Sequence, residues 1–461
     1  MIVATRAAAD DAGAASLLPK IGWIAVPEGS IPRDDPAREI AAAVGAAART
    51  SLVHVGVTQH APISIALDRI SRGQLDVALV VGGETRASQA RVARLGDTFP
   101  TPVPGQPDEP LLASGELMAQ PEIDAGMWSA VEHYACIESA LGHAEGRSMA
   151  QHLDEIAALW SRFEQVANQN PAAAFAGERG VAGLRTAGPD NRALAYPYAR
   201  WHSTQWTVDQ SAALLLCSVE TARAAGVAED RWIFPRAMLN SSFGVSLSRR
   251  AQLHRWPTMK VLGQAASAHL GRAPADWDVV ETYSCFPSAV RVQQRELELN
   301  LDGTPTLTGG MAFGGGPFNN FTYMATAAVV AKVRSSTETD PLGAVTTVSG
   351  LLTRGALAVW STEPGDGLLL ADLADRSEAA TPTCAITGGA SGPATVVGAT
   401  VTYEGSGSEQ TPAGAFVLAD LGDGTRWVGT SSEPDLWHTT VTSGLVGKPV
   451  QLNGTSCSLA D

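Results

Sequence analysis

Leu307-Thr308-Gly309-Gly310-Met311-Ala312-Phe313-Gly314-Gly315-Gly316-Pro317-Phe318-Asn319-Asn320-Phe321 sets a glycine pair, four residues and then Gly-x-Pro just ahead of a segment with helical periodicity over 321–334. Glycine admits backbone conformations and close approaches that a side chain forbids. The run lacks the Lys and Ser/Thr that complete a phosphate-cradling P-loop, so it reads as a structural turn. Asn319 and Asn320 stand where helix caps are favoured, and only secondarily as oxyanion donors.

Outward from this loop the chain alternates strands and helices. Upstream lie an apolar strand over 277–283 and a helix after Pro287; downstream, 343–348 and 356–361 are paired apolar runs. The first part of the chain repeats the pattern: a helix over 2–12, a strand over 21–26, a helix over 34–48, a strand over 51–57, a helix over 62–72, and a strand over 77–81 that ends in Gly82-Gly83-Glu84. Apolar strands alternating with helices predict parallel sheets covered on both faces. Residues 95–204 interrupt them with a proline-rich entry (Pro100, Pro102, Pro104, Pro107, Pro110) and helices over 127–141 and 148–168, and the sheet resumes at 211–217.

The domain organisation expected is therefore one α/β half over 1–94 and 205–235, an inserted helical lobe over 95–204, a second half over 236–370, and a further β-domain over 371–461. In that last part the composition turns to Gly, Thr, Ser and Val, with β-rich runs at 394–403, 414–421, 425–430 and 448–452, and Asp423-Gly424 is a hairpin signal. A small OB-like β-barrel is the expectation, with a sandwich as the alternative.

Composition narrows the functional classes. With 461 residues, 45% hydrophobic and 17% charged, the chain can bury a large core. A net charge of -15 argues against a nucleic-acid partner, since phosphate binding requires a cationic face. The five cysteines form no CxxC or Cys/His ligand pattern, which points to a reducing, cytoplasmic setting with neither disulfide frame nor metal site. No apolar run is long enough to cross a bilayer.

Several stretches carry a family resemblance. Residues 73–84 resemble the thiolase stretch in which a helix ends in Gly and a strand leads to Gly-Gly-x-Glu, and 208–214 are similar to the strand that re-enters the first half after the loop domain. The 307–321 loop resembles the thiolase C-terminal active-site loop, in which a histidine stands where this chain has Gly316. Glu281-Thr282-Tyr283-Ser284-Cys285-Phe286-Pro287-Ser288 falls where the sterol-carrier branch has His-Asp-Cys-Phe. In order and spacing, 1–365 resemble the thiolase superfamily, nearest to thiolase-like proteins labelled acetyl-CoA acetyltransferase that carry an extra C-terminal domain. The resemblance implies a layered fold of two similar βαβαβ halves around a loop-domain insertion.

Position by position the resemblance also implies what is missing. A thiolase needs a cysteine at a helix N-terminus, where the dipole favours the thiolate, together with a base and oxyanion donors. Here the matching turn, Gly56-Val57-Thr58-Gln59-His60-Ala61-Pro62, has no cysteine. Tyr283 stands at the place of the sterol-carrier histidine, Cys285 keeps the family cysteine, and Val348-Ser349-Gly350 occupies the place of Cys-x-Gly. The candidate catalytic residues are Tyr283, Cys285 and His60; the candidate substrate-binding residues are Gly315, Gly316, Asn319, Asn320 and Ser349. Each has a plainer reading: Tyr283 as a satisfied core tyrosine, Cys285 as an inert thiol, His60 as a cap or surface residue.

The function implied is that of a thiolase-like protein of acyl-CoA and lipid metabolism, an acyl-CoA binder without thiolase activity. The alternatives are an aldolase-like C-C bond enzyme using Tyr283 and a structural subunit of an enzyme complex. CoA or acyl-CoA is the implied ligand, no tightly bound cofactor is expected, and homodimer, hetero-complex and monomer stay open. Relatives also begin with a central strand ahead of the helix at 2–12. Its loss from the sheet implies a start at Met1 inside a longer frame, a rebuilt sheet, or a strand supplied by a partner.

Overall fold

The computed structural model describes residues 1–99, 103–113, 115–405 and 409–460; Pro100 and Pro102 of the proline-rich entry lie outside them. The first half contains α1 (Ile2–Asp11), β1 (Ile21–Pro27), α2 (Pro36–Val44), β2 (Arg49–Val53), α3 (Ala61–Ser71), β3 (Val77–Thr85) and α4 (Arg86–Arg94). Asp35 opens α2 by accepting the Arg38 amide, Pro36 sits in its first turn, and Gly45 closes it in the left-handed region. The insertion supplies α5 (Gln120–Asp124), α6 (Ala130–Ala144), α7 (Met149–Gln169), α8 (Gly180–Arg185), β4 (Ala193–Ala195) and β5 (Tyr198–Ala199). The chain then returns through β6 (Asp209–Cys217) and α9 (Val219–Ala224).

The second half runs β7 (Phe234–Ser241), α10 (Pro257–Leu270), β8 (Val279–Glu281), α11 (Pro287–Glu296), α12 (Phe321–Arg334), β9 (Gly343–Ser349), β10 (Arg354–Ser361), β11 (Leu369–Asp372) and α13 (Ala374–Ala380). Its sheet is ordered β11-β7-β10-β9-β8, and the first sheet is ordered β2-β1-β3-β6. Both are mixed, where apolar alternation alone predicted parallel ladders. β6 enters from the insertion, free of a crossover helix, and runs antiparallel to β3; β9 and β10 form a hairpin around Gly350. β1 pairs directly with β3, from Ile21 beside Val77 to Ala25 beside Val80, with a register shift after Ile21. β1 and β3 are thus direct neighbours in the first sheet.

The last part contains β12 (Ala385–Thr387), β13 (Ala390–Glu404), β14 (Thr411–Asp420), β15 (Thr425–Ser431), α14 (Pro434–Thr442), β16 (Pro449–Gly454) and β17 (Ser456–Leu459). β13 pairs β14, β14 pairs β15, β15 pairs β17, β17 pairs β16, and β16 pairs β13 again. That ring closes a five-stranded, OB-like barrel and removes the free edges a sandwich would keep. Gly424, at φ +87°, makes the β14–β15 turn that Asp423-Gly424 signalled. β17 was not legible, because Ser456–Leu459 is too short to show alternation.

The barrel is welded to the body. Arg426, 1% exposed, donates to the carbonyls of Ser248, Arg250 and Ala251 and pairs with Asp420. The β4–β5 hairpin of the insertion extends the barrel sheet, Thr402 lying beside Ala195.

Candidate functional site

The turn between β2 and α3 passes through Gly56-Val57-Thr58, and His60 occupies the N-cap position of α3. Its side chain makes no cap bond. It is fully buried, Nδ1 lies 2.9 Å from the Thr347 hydroxyl on β9, and Nε2 has no partner among the described residues. Burial disfavours the imidazolium and lowers the pKa of His60 to about 3. The expected capping or surface histidine is thus a neutral core histidine, because the β9 threonine, and not the helix end, holds the ring.

Tyr283 follows β8. Its amide donates to the Thr346 hydroxyl, its carbonyl accepts from Gln293, and its ring meets Phe321 edge-on at 5.9 Å. Burial, then the charge of neighbouring Cys285, raise the Tyr283 pKa, and a hydrogen bond with Gln59 partly offsets them. Cys285 is buried, and its thiol is pushed up to about 12, chiefly by desolvation. It is therefore no thiolate at neutral pH.

The glycine loop is tied down from beneath. Glu281, the last residue of β8 and fully buried, accepts the hydroxyls of Thr306 and Thr308 at 2.8 and 2.9 Å and the amides of Leu307 and Thr308. Burial outweighs these four bonds and raises its pKa to about 7. This clamp was missed, although a carboxylate directly after Val279 and Val280, at the end of an apolar run, was visible as a signal.

Gly315 and Gly316 are buried backbone, not open binding surface. The Gly316 amide donates to the Gln205 carbonyl, and a Cβ there would lie 2.2 Å from Thr204 Cγ2. A side chain at 316 has no room. Gln210 packs against Gly315 and donates to the Gly314 carbonyl. Asn319 donates to the Glu28 carbonyl. Asn320 stands at the N-cap of α12 but its side chain caps nothing: it is buried against Gly82, with both amide atoms unpartnered among the described residues. Ser349 donates to the Gly56 carbonyl. Phe313 and Phe321 are fully buried.

The structure brings His60, Tyr283 and Cys285 to one set of strand and helix ends, where His60 and Cys285 are buried and Tyr283 is half-buried. Open space lies beside them. A cavity of about 620 Å³ begins at Gly56, Val57 and Thr58 and is lined by Ser64 and Asp68 of α3, Asn240 of β7 and Arg354 of β10. Asn240 joins its two walls, donating to Ser64 at 2.7 Å and accepting from Thr58 at 3.2 Å. Tyr283, Cys285 and His60 do not line it. Among the described residues, no group of three or more His, Cys, Asp or Glu side chains is placed to hold a metal ion, and no helix is long and apolar enough to cross a membrane.

No family model matches the chain, and no curated protein matches it. Among solved structures it superposes on a monomeric SCP2-thiolase like protein type 1 from Mycobacterium smegmatis with a TM-score of 0.82 and 25% identity, over 99% of this chain and 93% of that one. The chain is thiolase-like. In this thiolase-like protein His60 of the α3 turn, Cys285 beyond β8 and Phe313 of the glycine loop are buried, and Tyr283 is half-buried.

Proposed function

We propose that the chain binds an acyl thioester of the acyl-CoA type and performs no thiolase chemistry on it. The observation that carries the reading is the cavity at the N-terminal end of α3. It touches the turn on which a thiolase would carry its nucleophile, and it offers Thr58, Ser64 and Asn240 as partners for amide and carbonyl groups. Its volume lies within the roughly 300 to 1,000 Å³ of small-molecule sites. A ligand's phosphates would have to reach Arg69 and Arg354 past Asp68 and Asp372, so modest affinity is expected.

Against Claisen chemistry stand the protonated Cys285, the missing cysteine at the α3 turn and the lack of space at Gly316. Tyr283 as a base would work against its own raised pKa. The second reading, a structural subunit, is favoured by the burial of Phe313 and Phe321. Calorimetric titration with CoA and a short series of acyl-CoAs separates the two. Saturable binding that Ala61→Trp abolishes supports the ligand reading, and product formed only with Tyr283 present would instead select an enzyme. Absence of any binding leaves the structural subunit.

A further inference from the structure

A second cavity, of about 530 Å³, lies on the other side of α3, between α1, the edge strand β6 and α12, and is closed at its far end by the start of β7 and the end of β10. Most of its wall is hydrocarbon: Leu17, Leu67, Leu214, Leu216, Phe234 and Val330 line it, with small alanines of α1 and α12 between them. The α3 residues it meets differ from those of the first cavity, Leu67 here against Ala61, Ser64 and Asp68 there.

The rim is polar and organised. Arg334, at the end of α12, gives Nη1 to both oxygens of Asp11 at 2.9 Å and Nη2 to the Arg231 carbonyl at 3.0 Å. These bonds fix the guanidinium plane and leave Nε buried without an acceptor among the described residues. Arg231 lies 3.6 Å from the same Asp11, so two arginines face one carboxylate and the rim carries one uncompensated positive charge. A buried donor without a partner costs on the order of 1 to 3 kcal/mol, so the Arg334 Nε at the rim marks a place for an acceptor-bearing head group.

We propose that this cleft binds an aliphatic carboxylate of fatty-acid type, its chain between α1, β6 and α12 and its head group at Arg334 and Arg231. The apolar wall supplies most of the affinity, at roughly 0.8 kcal/mol per buried methylene, and the arginine rim selects the charge of the head group. The site is separate from the one proposed for the acyl thioester and does not depend on it.

Calorimetric titration of the full chain with decanoate, below its micelle concentration, tests the site, with decyltrimethylammonium as a probe of equal chain and opposite charge. The expected result is saturable 1:1 binding of decanoate, at least about tenfold weaker with Arg334→Gln. Ala327→Phe, which fills the cleft from an exposed position on α12, should abolish it, and Ala61→Trp should leave it unchanged. Because Arg334→Gln also removes the ion pair with Asp11, Ala327→Phe decides the matter if that variant unfolds. No saturation, equal binding of the cationic probe, or binding indifferent to Ala327→Phe would each overturn the proposal.

Discussion

At the residue scale, Gly316 shows how tightly the glycine loop is packed. Introducing Gly316→His drives a side chain into Thr204, and overpacking of this kind costs about 1 to 3 kcal/mol. Urea unfolding should show that loss, and Thr204→Ala in the same chain should recover part of it. If Gly316→His were neutral, the loop would be looser than its contacts indicate. His60 gives a pH test. Its folded pKa is depressed, so the stability it contributes is full above the unfolded value near 6.5 and is lost as pH falls from there towards 3. Unfolding free energies of the wild type and His60→Gln, measured from pH 4 to 7, should therefore diverge by roughly 1 kcal/mol per pH unit, with the wild type losing more in acid. Glu281 acts in the opposite sense between about 4.5 and 7, and it cancels in that difference. Neither residue's role could be read from the chain alone. His60 beside a helix start looks like a cap, and only the position of Thr347, 287 residues away, turns it inward.

At the scale of elements, the Glu281 clamp is what gives the glycine loop one shape. Glycines alone permit many conformations, and four donors converging on one buried carboxylate select among them. Glu281→Ala should cost about 3 kcal/mol or more, because it strands those donors in the interior. Amide exchange over residues 305–316 should rise at the same time, and unchanged exchange would mean that the loop is held by its other contacts. The elements themselves were largely legible: 2–12, 62–72 and 321–334 read as helices and fold as α1, α3 and α12 within a residue or so. Periodicity is a local property and survives inspection one window at a time. Strand direction is not local, and so β6, which re-enters a sheet read as parallel, runs antiparallel to β3. The edges of 51–57 were overdrawn, because the chain leaves the sheet at Val53 to reach Gly56.

At the scale of the whole molecule, the barrel was visible as a change of composition, but its attachment was not. Nothing in the sequence announces that Arg426 would be spent on three carbonyls of the segment before α10, or that residues 193–199 would join a sheet made mainly of 390–459. The attachment predicts that body and barrel melt together. Arg426→Met should lower the melting temperature and open the stretch between β10 and β12 to limited proteolysis, releasing a fragment of barrel size. A variant that resists the protease as well as the wild type would show that the interface holds without this arginine. The same attachment sets a delay during synthesis. The hairpin at Ala195 leaves the ribosome about 200 residues ahead of its partner at Thr402, which at 5 to 20 residues per second is a wait of about 10 to 40 s. Through that interval the lobe carries an unmatched strand edge, and a chaperone that shields such edges would find its window there and nowhere later.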